Sequence, residues 1–584
     1  MKKLHKGKII LIILVLFTAA ISTGFLVSKE TRDFKIAKNL DIFFTLFREL
    51  NTFYVDEIDP DKVVKSGIDN MLQTLDPYTV YFPESDANEF RILTTGKYGG
   101  IGSLIRMSGD YTVVSEVYKN FPADLAGIKA GDLLKKVDGS SIKGFSTDQV
   151  SEKLKGVPGT TIKLTIERNG QESDLNLKRE KIAIPAVPYF GIIGKETGYI
   201  RFTSFTQNCV DEVKNALLSL KKNGAKHIIL DLRGNPGGLL TEAVEIINLF
   251  VGPGNEVVST KGKVKQFDEV FKTTKAAIDE TIPLAIIINR GSASASEIVA
   301  GAIQDLDRGI VVGQRSYGKG LVQVTRPLSY NTQLKVTTAK YYIPSGRCIQ
   351  AIDFAHRNED GSVGMIPDSL ISEFKTRNGR LVKDGGGILP DIDIAPENLS
   401  QIATELYLRN FIFDYATKYY WQKPVLTSPE QFTFTDDDYA DFSRMLTDKK
   451  FDYSTETEES FKELIANAKK EKYYDLHKDL LTSLQKDLSH SLDSDLKIFR
   501  QEIVNLLEDE IISRYFYEEG ALAWAVKKDN QVLKAIDLLS DKEQYSSILQ
   551  GKSGAIMLTG SIQDTQNNPN QYFPGKKFAS LENI

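Results

Sequence analysis

Apolar positions recur at helical spacing between residues 34 and 76. Phe43, Phe44, Phe47 and Leu50 form one stripe, and Val63, Val64, Ile68, Met71, Leu72 and Leu75 a second. Asp59-Pro60 signals a helix start between them and Leu75-Asp76-Pro77 a helix end, so the pattern predicts a helical hairpin. The period then changes. Residues 93–184 carry short β-rich runs at 101–105, 111–117, 133–137, 162–167 and 175–179. Turn pairs such as Asp138-Gly139 and Asn169-Gly170 separate them, and helical patterns fall at 122–126 and 147–155. This predicts a compact, strand-rich module with two helices.

Residues 185–398 alternate buried-type strands, at 198–202, 227–232, 284–289 and 309–313, with helical patterns at 209–222, 239–249 and 296–305. Such alternation predicts right-handed crossovers and largely parallel pairing, followed by a β-rich section at 322–327 and 333–343. Residues 399–554 return to amphipathic helix, with Leu464, Ile503, Leu506, Leu507 and Ile511 on apolar faces. Asp436-Asp437-Asp438 reads as a solvated acidic turn, and 555–584, rich in Asn and Gln over 563–571, as a poorly ordered tail.

The N-terminus adds a location. Lys2, Lys3, Lys6 and Lys8 precede an uncharged run from 9 to 28, about long enough to span a bilayer. The length favours an uncleaved anchor over a cleaved signal peptide, and both place the chain from about residue 30 outside the cytoplasm. Segment 1–30 is thus a membrane anchor or signal, and 31–92 an N-terminal helical region. The 584 residues are 41% hydrophobic and 26% charged, which suits several globular domains. A net charge of -5 and a pI near 5.8 argue against nucleic acid as a partner. Cys209 and Cys348 lie in no CxxC and no histidine in an HExxH, which argues against structural zinc and a zinc protease.

The candidate chemistry gathers at strand ends. After the 284–289 strand, Ser292, Ser294 and Ser296 are interleaved with alanines, and Ser294-x-x-Glu297 has capping-box spacing. A Ser at a strand-to-helix turn also sits where a helix N-terminus stabilises developing negative charge. A triad would need a histidine; only His227 and His356 fall in this region, and His227 opens a strand. A lysine kept neutral by burial or nearby positive charge can serve instead. Lys319, between Gly318 and Gly320, follows the next strand, so the two strand ends should lie side by side. Residues 313–320 nearly spell a phosphate-binding loop, but Gly320 replaces the required hydroxyl and a strand pattern follows, not a helix. Asp231-Leu232-Arg233-Gly234-Asn235-Pro236-Gly237-Gly238 ends a third buried strand, and its glycines can turn N–H groups toward an oxyanion. No GxSxG occurs.

With these motifs the chain resembles the C-terminal processing peptidases, or tail-specific proteases, from about residue 40 to 398. The resemblance rests on LDPYTVYF (75–82), GKYGGIGSLI (96–105), DLRGNPGGLL (231–240), GSASASEIVAGAIQD (291–305), GQRSYGKGLVQ (313–323), YYIPSGRCIQ (341–350) and GGILPDI (386–392). It implies an α/β protease core (185–398) with an inserted PDZ domain (93–184), flanked by N-terminal helices and a C-terminal helical region. It implies a serine endopeptidase with Ser294 as nucleophile, Lys319 as general base and Gln323, four residues on, orienting the base. The oxyanion donors would be the N–H of Ala295 and that of Gly237 or Gly238. Ser292 would cap, and Ser296 would pack at the helix start. Gly234 departs from the expected Asn, which would loosen the turn. Gly100, Ile101 and Gly102 would bind the carboxylate of a peptide that adds as a strand.

The implied partners are proteins or peptides with free C-terminal tails, the membrane through the N-terminal segment, and a second copy or an adaptor through the helical termini. No metal or cofactor is implied, and the expected place is the cell envelope. Two alternatives stay open: a non-catalytic PDZ scaffold, against which the Ser294, Lys319 and Gln323 set argues, and an acyl-transfer enzyme on a related core.

Overall fold

The computed structural model describes residues 31–84, 95–358, 360–396, 398–423, 425–429 and 432–552. The expected anchor at 9–28 and tail at 555–584 lie outside the described residues, among which no helix is long and apolar enough to cross a membrane. The chain divides into two units, Met1–Tyr81 and Phe82–Ile584. In the first, helices Thr31–Phe53 and Pro60–Gln73 form where the periodicity places them. The Asp59 carboxylate accepts from the N–H groups of Asp61 and Lys62 at 3.1 and 3.3 Å, and Pro60, with no N–H to satisfy, follows the cap. Of the apolar residues that define the two stripes, only Leu72 is buried; Phe43, Phe44, Met71 and Leu75 are exposed.

In the second unit, Ser103–Ser108, Tyr111–Val117, Leu133–Val137, Thr161–Arg168 and Gln171–Lys178 pair antiparallel in that order. Helices Pro122–Leu125 and Thr147–Leu154 close the module over a core of Ile105, Val114, Leu134, Ile162 and Leu164. The first strand starts two residues later than the β-rich run, because Gly102 turns the chain with φ 76°. A pairing the sequence did not reveal holds the module's two ends together: Lys97–Gly100 runs antiparallel to Glu180–Ala183.

The central sheet has the spatial order Tyr189–Ile193, Thr197–Arg201, His227–Asp231, Leu284–Ile288, Ile310–Gly313, Ile392–Asp393. The first pair is antiparallel and the rest parallel, as the alternation requires. The inner strands are buried along their whole length, which explains their unbroken apolar runs. One face packs on helices Cys209–Lys222, Leu240–Asn248 and Ala295–Asp305. The opposite face presents Tyr199, Ile229, Ala285, Ile287, Ile310 and Val312 to Val532, Ala535, Leu538 and Leu539 of helix Asn530–Ser540 and to Tyr545 and Ile548 of Lys542–Leu549. The C-terminal region therefore completes the sandwich.

Helices Gln401–Leu408, Phe411–Gln422, Asp436–Asp448, Leu492–Ile498 and Arg500–Ala525 share a separate core that includes Leu406, Tyr415, Phe442, Ile503, Leu507 and Ile511. Asp436-Asp437-Asp438 is not a turn but the first turn of helix Asp436–Asp448, capped by Thr435. Acidic side chains are favoured there by the helix dipole. Both cysteines are free thiols.

Candidate active site

Parallel pairing brings the C-terminal ends of His227–Asp231, Leu284–Ile288 and Ile310–Gly313 side by side, and each runs into one of the Gly- or Ser-rich segments. Two buried or half-buried amides stitch the first two together. Asn235 donates to Phe202 O at 3.0 Å and accepts from Gly237 N–H at 2.9 Å. Its own carbonyl accepts from Ala293 N–H at 3.0 Å and from the Ser296 hydroxyl at 2.9 Å. Asn289 Oδ1 accepts from Gly234 and Gly291 N–H, at 2.9 and 3.0 Å. Gly234 has φ 66°, a region that Gly and Asn both enter, so glycine fits a turn that Asn289 already pins.

Ser294 precedes helix Ala295–Asp305 with φ 55° and ψ -114°, an uncommon backbone for a residue with a side chain. Such conformations cost about 1–3 kcal/mol and persist only where surroundings impose them. The constraints are visible. Ser294 N–H donates to Glu297 Oε2 at 2.8 Å, and the buried Tyr341 hydroxyl donates to Ser294 O at 3.2 Å. A Cβ on Gly237 would lie 2.9 Å from Ser294 Cβ, so only glycine lets the two turns meet. Ser292 is buried and caps no helix: it donates to Leu232 O at 2.8 Å and accepts from Asn289 N–H at 3.0 Å, which corrects the capping expectation.

Lys319 is half-buried, between glycines that the next segment demands. A Cβ on Gly318 would sit 2.3 Å from Ala351 Cβ, and one on Gly320 2.8 Å from Gln350 N. Glu297 joins this loop to Ser294. Its Oε1 accepts from the Ser316 hydroxyl and Gly318 N–H, both at 2.6 Å, and its Oε2 from Lys319 N–H at 2.9 Å as well as from Ser294 N–H. Complete burial pushes the Glu297 carboxyl above its ordinary range, and the donated hydrogen bonds offset only part of that rise. Four donors fill the acceptor capacity of a carboxylate and leave no place for a proton, so we assign the ionised form. Gln323, on strand Leu321–Pro327, donates its amide to Thr337 Oγ1 at 3.1 Å, across the hairpin with Gln333–Tyr342.

The two candidate oxyanion glycines differ. Gly237 N–H is already committed to Asn235 Oδ1. Gly238, at φ 145°, and Ala295 donate to no acceptor among the described residues. Their turns meet, since a Cβ on Gly237 would lie 2.8 Å from Ala295 N. Neither histidine of the region bonds Ser294: His227 is buried at its strand start, and His356 is exposed and bonded to Asp353 at 2.8 Å. Among the described residues no group of three His, Cys, Asp or Glu is placed to hold a metal.

In the strand-rich module, Gly100 lies in the ribbon opposite Glu180. Ile101 and Gly102 form the turn into edge strand Ser103–Ser108, which helix Thr147–Leu154 touches. Their carbonyls accept from Ala123 N–H at 2.8 Å and Tyr118 N–H at 2.9 Å.

The sequence reading missed the reach of Glu297, visible in the motif only as a capping-box partner, and the stitching by Asn235, Asn289 and Tyr341. It also missed the support beneath the turn. Asp231, buried at its strand end, pairs with Arg201 at 2.8 Å and Arg233 at 2.6 Å and accepts the Tyr199 hydroxyl at 2.6 Å.

Family profiles match three segments: peptidase family S41 at 196–358, a PDZ domain at 113–168, and the probable PDZ-protease C-terminal helical domain at 402–539. The chain is 36% identical over 343 residues to the carboxy-terminal-processing protease of Bartonella bacilliformis, covering 58% of this chain and 76% of that one. It is 38% identical over 315 residues to a probable CtpA-like serine protease of Staphylococcus aureus, covering 53% of this chain and 62% of that one. Among solved structures, the photosystem II D1 C-terminal processing protease matches at 27% identity and a TM-score of 0.34, covering 61% of this chain and 93% of that one. At 36% identity over 76% of the Bartonella relative's length, the chain belongs to the carboxy-terminal-processing proteases, PDZ-containing serine-type peptidases of family S41.

Proposed function

We propose that the chain is an endopeptidase that holds substrate C-terminal tails on its PDZ domain and cleaves by a Ser294–Lys319 mechanism. The observation that carries this reading is the single Glu297 oxygen that fixes both residues' backbones at adjoining strand ends. A tail adds as a strand along Ser103–Ser108, with its carboxylate on the N–H groups of the Gly100–Gly102 turn. Lys319, neutral, takes the Ser294 proton, and Oγ attacks the scissile carbonyl. The N–H groups of Ala295 and Gly238 receive the oxyanion, and Gln323 orients the base. Lys319 then protonates the leaving amine, and water, activated by the same lysine, hydrolyses the acyl-enzyme.

The basic flank and apolar run at the N-terminus support a place in the cell envelope, exported and held at the inner membrane or released to the periplasm. The exposed apolar side chains of helix Thr31–Phe53 support a homodimer or adaptor contact there.

The test is digestion of a loosely folded protein with a free apolar C-terminus by the purified chain, with Ser294→Ala and Lys319→Ala alongside and products read by mass. Cleavage is expected from the unmodified chain and from neither variant. Cutting by Ser294→Ala would overturn the nucleophile.

A further inference from the structure

Helix Arg500–Ala525 is broken once. Tyr517 stands inside it at φ 58° and ψ -166°, far from helical values. The break brings residues 516 and 520 together: a Cβ on Gly520 would lie 2.1 Å from Phe516 Cβ, so the bend requires glycine there. The strained residue is half-buried. Its ring packs against the PDZ core, and its hydroxyl donates to Asp124 Oδ1 at 2.9 Å. Asp124 lies on helix Pro122–Leu125, directly behind the carboxylate turn. Ala123 N–H bonds Ile101 O at 2.8 Å, and a Cβ on Gly102 would lie 2.5 Å from Phe121 Cβ.

Following the chain from Tyr517 leads to the catalytic turn. Helix and a 3-10 turn at Val526–Lys528 carry it to Asp529, roughly 20 Å on at helical rise. One Asp529 oxygen caps helix Asn530–Ser540, accepting from Gln531 and Val532 N–H at 3.0 and 3.1 Å. The other pairs with Arg233 Nη1 at 2.8 Å. Arg233 immediately precedes the Gly234–Gly238 turn and is locked to Asp231, while its carbonyl accepts from Arg201 at 2.6 Å.

We propose that residues 517–529 are a tie bar between the PDZ carboxylate turn and the oxyanion turn. Asp529 is a positioning residue that acts through Arg233, and Tyr517 makes that positioning depend on the state of the PDZ domain. Such a backbone costs about 1–3 kcal/mol and persists only where surroundings impose it; here the packing of the Tyr517 ring on the PDZ core and its bond to Asp124 do so, which ties the bend to the PDZ domain. This rests on the assignment of Ser294 and the PDZ groove proposed above.

The test uses the full chain, an internally quenched peptide with an amidated C-terminus as reporter, and a free apolar tail peptide as PDZ ligand. Saturating tail is expected to change reporter kcat severalfold. Tyr517→Phe should abolish that response and leave the rate without tail within about twofold. Asp529→Ser, which keeps a helix cap but removes the Arg233 partner, should lower kcat about tenfold with KM little changed. In the Ser294→Ala background, hydrogen exchange at 231–238 should change on tail binding, and that change should vanish with Tyr517→Phe. This readout needs no turnover, so it tests the tie bar even if the catalytic assignment fails. Tail binding measured by anisotropy without any change in exchange would overturn the proposal, as would a Tyr517→Phe chain that responds like the unmodified one.

Discussion

Ser294 and Lys319, twenty-five residues apart in sequence, donate their backbone N–H groups to one oxygen, Oε2 of Glu297, at 2.8 and 2.9 Å. The position of one therefore constrains the other. In Glu297→Gln an NH2 must replace one acceptor oxygen and confront donors. Leaving buried donors unmet costs about 1–3 kcal/mol, so kcat should fall about 10- to 100-fold while the affinity for tails stays unchanged. Steady-state kinetics together with tail anisotropy checks this; a kcat within twofold would show that the carboxylate does not hold the site.

Gly237→Ala should remove activity more completely than its size suggests. The new methyl would approach Ala293 O at 2.6 Å and Ala295 N at 2.8 Å, at a φ of 96°. The turn must move, and the oxyanion donors with it; a loss of about 100-fold or more in acylation is expected, since one lost donor alone costs that much. The rate of labelling by a serine-directed reagent, read beside the melting temperature, separates lost chemistry from lost fold.

Gly102→Ala should abolish tail binding and spare the core. Its methyl would meet Phe121 Cβ at 2.5 Å, at φ 76°, within the proposed carboxylate turn. Anisotropy of a labelled tail peptide should show at least a tenfold weaker Kd, with labelling of Ser294 unchanged. Equal affinity would move the carboxylate site elsewhere.

Asp231 gives the pH prediction. Burial would raise its carboxyl, but Arg201 and Arg233 outweigh burial and hold it well below the ordinary range. The folded value thus lies below the unfolded one, near 3.9. The stabilisation is complete above the unfolded value and is lost as pH falls through the folded one. Asp231→Asn removes the buried carboxylate that Arg201 and Arg233 share, leaves Arg233 its Asp529 pair, and should cost about 3 kcal/mol at pH 7. Urea unfolding should show the gap between variant and unmodified chain narrowing below pH 4. A gap independent of pH would assign the loss to packing.

Much of the site was legible because its elements are local. Ser294, Lys319 and the Gly237-Gly238 turn each follow a buried strand, and parallel pairing places consecutive strand ends together. The difference in bonding between the Gly237 and Gly238 N–H groups was not legible. It depends on the Asn235 side chain accepting from one N–H and not the other, which spacing does not encode. The partner of the C-terminal helices was equally hidden. Their amphipathic faces announce burial, but the complementary face, on Ile229, Ile287 and Val312, lies more than two hundred residues earlier.

The sequence by itself determined the strand–helix alternation, the strand-rich module between an N-terminal helical region and the α/β core, and which residue types stand at the strand ends. Hydrophobic period, glycine and capping residues act over a few positions, so they are written locally. Tertiary structure decided what those residues touch. It set the strained backbone of Ser294, the four donors converging on Glu297, and the line from Asp124 through Tyr517 and Asp529 to Arg233. Each joins segments that only the packing of sheet and helices brings within hydrogen-bond range.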